Sequence, residues 1–179
     1  MRVCTMLHTL MLYSDIEYDA MLRHLSKCHA GSIVLGQDQE VPNRFDVVTA
    51  THVKTDEKFG IGICSSNVSI PPACLPLAKE NLLLIGYNSK VAAVELRTNR
   101  LRFDVELPFL FYFMFFYDAG ETVVIVHEIG VDVVTLTGDT VWQQSTDIVS
   151  HYYIEGEKIV VGQAEGGELV YFLDDGRPA

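Results

Sequence analysis

The spacing of apolar residues along the chain changes at Gly31. Before it, Tyr18, Met21, Leu22, Leu25 and His29 recur at helical spacing on one face. Ser14 and Glu17 form an S-x-x-E capping box, with Tyr13 and Tyr18 at the staple positions around it. Together these predict a helix over residues 14–29, ended by Gly31 in the left-handed conformation that glycine adopts cheaply. Residues 3–11 carry a shorter stripe (Val3, Met6, Leu7, Leu10, Met11) that suits either a brief preceding helix or a frayed start. Beyond Gly31 the chain turns β-branched and alternating. Residues 32–35, 44–53 and 58–64 predict strands, with Thr55-Asp56-Glu57 as the tip of a hairpin. The run Ile70-Pro71-Pro72-Ala73-Cys74-Leu75-Pro76 has three residues without a backbone donor, and it predicts a linker.

From residue 82 the pattern repeats. Residues 82–117 slide onto 122–157 with a shift of forty, and a clipped third copy follows in 158–164 and 168–173. Five pairs are identical: Ile85/Ile125, Val91/Val131, Val94/Val134, Leu96/Leu136 and Tyr112/Tyr152. Each unit has an apolar run, a turn, an alternating run ending in Leu, and a polar turn (Thr98-Asn99, Gly138-Asp139, Asp175-Gly176). Fixed-period similarity at this length marks stacked β units; an ordinary antiparallel meander is the plainer alternative. Residues 109–117 hold 7 of the 18 aromatics. On a regular strand Phe109, Phe111, Phe113, Phe115 and Tyr117 face one way, and Leu110, Tyr112, Met114 and Phe116 the other. Both faces are then apolar, which predicts a central core strand or one that faces a partner subunit.

The segment Val131-Asp132-Val133-Val134-Thr135-Leu136-Thr137-Gly138-Asp139-Thr140-Val141-Trp142 resembles the blade signature of quinoprotein-like, WD-type propellers, an apolar strand leading into a Leu-x-x-G-x-x-x-W hairpin. The resemblance covers residues 80–179. The first copy departs from it, with Thr98 and Arg102 in place of the Gly and Trp. It implies a scaffold that commonly binds other proteins, and it carries over no active site. Propellers close with about four to eight blades, and two and a half units fall short of that. The remaining edges call for cover by the N-terminal strands, by a second chain in a homodimer, or by the helix. The expected fold is therefore mainly β: an antiparallel meander of propeller-blade-like repeats (80–179) with an N-terminal helix and strands (1–79) as a cap, in one compact domain.

Charge narrows the partners. The net charge is −11; residues 1–79 hold 8 acidic and 7 basic side chains, and residues 80–179 hold 16 and 6. An acidic repeat region repels phosphates and disfavours nucleic acid, while it attracts a basic protein. Val3–Tyr13 is interrupted by His8 and has no small-residue cleavage site after it, and 109–117 is too short for a spanning helix. These features point to a cytoplasmic protein with no membrane association. Cys4, Cys28, Cys64 and Cys74 are then expected as free thiols, and the sequon Asn67-Val68-Ser69 as silent.

Candidate chemistry is sparse. Cys4 and His8, with His24 and Cys28, have i,i+4 spacing and would present two ligand pairs for a structural zinc if both segments were helical. His52 is the base within reach of a nucleophilic Cys64 or Cys74. His127-Glu128 lacks the second His of a zinc-protease helix. Gly60-Ile61-Gly62 and Gly166-Gly167 lack a phosphate-cradle frame, and Asp174-Asp175-Gly176 lacks the later ligands of a calcium loop. Trp142 reads as a core or inter-sheet anchor. With no coherent catalytic set and no implied cofactor, the expectation is a non-catalytic protein-interaction module, an immunity-like partner-neutralising protein being one form. Its interaction residues would be Phe111, Phe113, Phe115 and Trp142. The alternative is a small-molecule-binding or enzymatic β domain with a pocket near His52, Cys64 and His127.

Overall fold

The computed structural model describes residues 2–4, 7–37, 41–66 and 69–179. These form sixteen strands and one helix, and no helix among them is long and apolar enough to cross a membrane. The chain divides into two compact units, residues 1–88 with 92–103 and residues 89–91 with 104–179.

The first unit opens with β1 (Arg2–Cys4), β2 (His8–Ile16), α1 (Tyr18–Leu25), β3 (Ser32–Leu35), β4 (Arg44–His52) and β5 (Lys58–Ser65), in a sheet of order β1-β2-β4-β5-β3. β2 and β5 both run antiparallel to β4, and β3 runs parallel to β5. β2, α1 and β3 thus form a split β-α-β unit with β4 and β5 inserted between its strands. Strand alternation decides what each face buries. Phe59, Ile61 and Ile63 of β5 join Val48 and Ala50 of β4 in one core. On the other face α1 lays Met21 and Leu25 against Val47 and Cys64.

Gly60 and Gly62 occupy the helix-facing positions of β5 between Lys58 and Cys64. A Cβ on Gly60 would lie 2.8 Å from Leu25 and 2.9 Å from the Cys28 sulfur, and one on Gly62 would lie 3.0 Å from Leu25. The two glycines therefore form the seat of α1.

β6 (Ala73–Leu77), β7 (Leu82–Tyr87), β8 (Lys90–Glu95) and β9 (Arg100–Glu106) form a sheet in sequential order. Its Leu83, Ile85, Tyr87, Ala92, Val94 and Leu96 close the core begun by β4 and β5. β7 is buried at every position, which is why it reads as an unbroken apolar run.

The second unit holds a four-stranded sheet, β10 (Phe111–Tyr117), β11 (Thr122–His127), β12 (Gly130–Thr135) and β13 (Thr140–Ser145), again in sequential order. A three-stranded sheet follows: β14 (Val149–Glu155), β15 (Lys158–Gln163) and β16 (Glu168–Phe172). Pro178 bridges to Tyr171 on the outer side of β16. Val124, Val126, Val131, Val133 and Trp142 from the one sheet pack with Val149, Ile159, Val161 and Tyr171 from the other.

The forty-residue register is real in β7/β11, β8/β12 and β9/β13, but its phase differs from the sequence expectation. Each sheet opens with the strand that the register had put last, so residues 109–117 begin a sheet instead of completing one. β6 lies in the predicted linker. It accepts Pro76 because it is an edge strand, where one missing donor breaks only an outward-facing position.

The doubly apolar strand is also an edge strand, not a central one. Phe111 pairs with His127 and Phe113 with Val126, so Tyr112 is the extra residue of a bulge. The bulge breaks the alternation: Phe111 and Met114 are buried while Phe113 is exposed.

The helix is shorter than residues 14–29. Its N-cap is Glu17, and no side chain caps it. Ser14 and Asp15 are drawn into β2 instead, Asp15 at a φ of 53° with its N–H donating to Asp46 Oδ1 (3.1 Å). Sheet pairing as far as Ile16 and Phe45 outcompetes a capping box that stabilises by only about 1 kcal/mol. Residues 2–4 and 8–16 are strands, so the short preceding helix does not form. Met6 of that stripe and Asn67-Val68 of the sequon lie outside the described residues.

Candidate functional site

β2 and β4 place His8 directly opposite His52, on the core-facing side shared by Leu10, Ala50 and Phe59. The two imidazoles meet edge to face, with ring centroids 5.2 Å apart. His8 is 6% exposed. Burial first, and the neighbouring His52 second, lower its pKa from the ordinary imidazole value.

The hairpin tip after β4 orders His52. The Thr55 N–H donates to His52 Nδ1 (3.2 Å), so in the neutral ring the proton sits on Nε2. The Thr55 hydroxyl donates in turn to Glu57 Oε2 (2.9 Å). These groups line a cavity of about 330 Å³ whose walls include Phe59, Leu96, Arg97 and Asn99. Asn99 takes the left-handed conformation at the β8–β9 turn (φ 57°), and its Nδ2 donates to the Ala30 carbonyl (3.4 Å). The far wall is thereby tied to the segment that leaves α1. Volume, apolar walls and a few convergent polar groups are what a small-molecule site needs.

The zinc quartet is not assembled. Its premise was two helical i,i+4 pairs, but Cys4 and His8 lie on strands. The Cys4 side chain lies outside the described residues. His8 faces the core side of the sheet, whereas His24 and Cys28 lie on the α1 side, where the His24 ring packs at a tilt against Tyr13 (centroids 4.3 Å apart). Cys28 and His24 line a separate small cleft there with Met11 and Thr49. Among the described residues no group of three or more metal-ligating side chains gathers.

His52 and Cys64 do not share a cleft. In the β4–β5 register Cys64 pairs with Phe45, seven positions along β5 from Glu57, the residue beside His52; this is roughly 23 Å. Cys64 also points to the α1 face, beside Tyr18 and Phe45 in a more open cavity of about 620 Å³. His127 belongs to the second unit, buried on β11 with Nε2 3.4 Å from Asp132 Oδ1. Within the first unit His52 and Cys64 therefore stand in different cavities, and the pocket that the sequence reading expected to join them is not formed.

Among the aromatic candidates, Phe111 is 1% exposed and Trp142 8%, so both are core side chains in this chain. Phe115 packs at the edge of the core that holds Trp142. Phe113 is 41% exposed and stacks on Tyr152 with centroids 5.4 Å apart. Asp175 accepts from the N–H and Nε of Arg177, as a turn residue does. Thr55, Glu57 and Asn99 were legible only as turn residues, and Arg97 was not singled out by any pattern. Nothing in the sequence joins two turns some forty residues apart in a single cavity.

The fold has relatives among solved structures. The hydrazine synthase of Kuenenia stuttgartiensis matches 74% of this chain at 12% identity with a TM-score of 0.55. Dihydro-heme d1 dehydrogenase NirN in complex with DHE matches 76% at 10% identity, also with a TM-score of 0.55. The computationally designed Ika8 protein matches 75% at 15% identity with a TM-score of 0.50. The first two are propeller-type folds, so the propeller-like expectation holds for architecture. This chain spans 42%, 33% and 44% of those three chains, respectively. No protein-family model and no curated protein matches the sequence.

Proposed function

We propose that this chain is a non-catalytic binding module whose second unit captures a cationic protein partner. One observation carries the reading: the second unit holds 14 acidic and 3 basic side chains, which accounts for the entire net charge of −11, while the first unit balances 10 against 10. So one-sided a field raises the encounter rate with a basic protein and repels nucleic acid and membranes of like charge. It also repels a second copy, which argues for a different protein as partner. Phe113, Tyr153 and Ile154, exposed on β10 and β14, supply apolar surface within this acidic field. β10 and β14 are edge strands, and each carries a bulge that blunts strand addition. Docking is therefore through side chains and not by a shared ladder. An immunity-like protein, one that neutralises a basic partner by covering it, fits this pattern.

The test is affinity capture from a cell extract with the intact chain and with a quadruple variant, Glu155→Gln, Glu157→Gln, Glu165→Gln and Glu168→Gln. A discrete basic protein is expected at stoichiometric yield, released as salt approaches about 0.5 M because screening then acts within a few ångströms, and absent with the variant. Failure to recover any partner at low salt, or recovery indifferent to both salt and the variant, would discard the reading.

A further inference from the structure

The cavity beside His8 and His52 lies wholly in the first unit and plays no part in partner capture. Its rim carries one carboxylate, Glu57, and one guanidinium, Arg97. Neither forms an ion pair with the other or with any other described residue. Opposite charges that line one opening without meeting present a dipole to whatever enters. The wall of the same cavity includes the apolar side chains of Phe59, Leu96 and Ala50. His52, held through Nδ1 by the Thr55 N–H, keeps an Nε2–H donor. Glu57 retains acceptor capacity beyond the single Thr55 hydroxyl it binds.

We propose that this cavity binds a free α-amino acid with an apolar side chain, its carboxylate on Arg97, its ammonium on Glu57 and its side chain against Phe59 and Leu96. A ligand with only one charge forfeits one of the two charge-assisted contacts, and a strongly polar side chain gains nothing from the wall. The volume of about 330 Å³ stands at the small end of ligand cavities, which suits a ligand of this size.

Ligand-observed NMR and calorimetry with L-leucine as the probe test this in the full chain. The comparison probes are isovalerate, which lacks the ammonium, and leucinamide, which lacks the carboxylate. Leucine is expected to bind and to shift the ring resonances of His8 and His52. Each single-charge analogue is expected to bind at least about tenfold more weakly, the worth of one charge-assisted hydrogen bond. R97Q should remove the preference of leucine over leucinamide, and E57Q the preference over isovalerate. Both substitutions are at exposed side chains, and an unchanged far-UV spectrum verifies the fold. No leucine binding at about 10 mM, above the millimolar affinity expected of so small a ligand, overturns the assignment. So do equal affinities for the three probes, or affinities that neither variant alters. Loss of partner capture leaves this result untouched, because the two rest on different units.

Discussion

Trp142 Nε1 donates a hydrogen bond to the main-chain carbonyl of Leu173, at 2.9 Å, and so fastens the last strand of one sheet to the turn that follows the last strand of the next. Gln144, two residues on, repeats the link with Nε2 to the Gly176 carbonyl (3.1 Å). Gly176 is required there for two reasons. Its φ is 68°, and a Cβ would lie 2.6 Å from the Trp142 ring.

Trp142→Phe should destabilise the second unit by about 1–3 kcal/mol, since it leaves the Leu173 carbonyl without its donor. Gly176→Ala should cost a similar amount, about 1–3 kcal/mol, through backbone strain and the displaced indole. Urea unfolding followed by circular dichroism reads both. Midpoints equal to the parent would show that the clasp is incidental.

Gly60→Ala forces a methyl into Leu25 and Cys28, and α1 must lift from its seat. A loss of about 1–3 kcal/mol is expected, together with faster hydrogen exchange in residues 18–25. An exposed strand glycine would instead gain stability from alanine, so even the sign of the change discriminates.

Asp46, 1% exposed, accepts from Arg44 Nε (3.0 Å) and from the Asp15 N–H (3.1 Å). Asp46→Ala leaves a largely covered guanidinium and a backbone donor unmatched, and should cost about 2–4 kcal/mol. Replacing Arg44 and Asp46 together with Met and Leu should cost less than the single change. A double variant weaker than Asp46→Ala would contradict the pairing argument.

His8 bears on acid stability. Its folded pKa lies below the ordinary 6.5 because burial and His52 disfavour the imidazolium. The neutral ring's contribution is thus complete above about pH 6.5 and is lost as the pH falls through the folded value. The parent should lose more stability than His8→Gln between about pH 6.5 and 5. Parallel curves across that range would remove His8 from the account.

The described thiols should be inert at ordinary pH. Burial raises the pKa of Cys28 and Cys64. Burial, and then the Asp46 carboxylate, push Cys74 up to about 12. In a Cys4→Ser background, labelling with a disulfide reagent at about pH 8 should be slow until denaturant is added, since the thiolate is the nucleophile. The raised Cys74 value also predicts stability present below about pH 8.5 and lost as the pH rises toward 12. Cys74→Ala should flatten that alkaline slope, and a prompt reaction with three thiols in the native chain would refute both statements.

Strands whose own residues dictate burial were legible in the sequence. β7 and β11 are continuous apolar runs because both faces are covered, and the turns at Asn99, Gly138 and Gly176 all take positive φ, as their residue types indicated. The forty-residue period and the propeller-like architecture follow from these local signals. What failed was wherever a distant strand competed with a local preference. Ser14 and Glu17 favoured a cap, but β4 paired with Tyr13 and Ile16 on either side of Ser14 and Asp15 and kept them in the strand. Pro76 argued against a strand, but an edge position tolerated it. Phe109 to Tyr117 alternated on paper, but a bulge at Tyr112 changed which rings are buried.

Chain patterning by itself therefore determined that this is a repetitive, mainly β protein with its negative charge toward the C-terminal end, because periodicity, turn chemistry and charge are properties of neighbours in sequence. Only the tertiary structure decided where each sheet begins, that Gly60 and Gly62 seat a helix, and that His8, His52, Glu57 and Arg97 surround one cavity. Those facts depend on strand pairing between segments up to forty residues and more apart, and the energy of such pairing is written in no single segment.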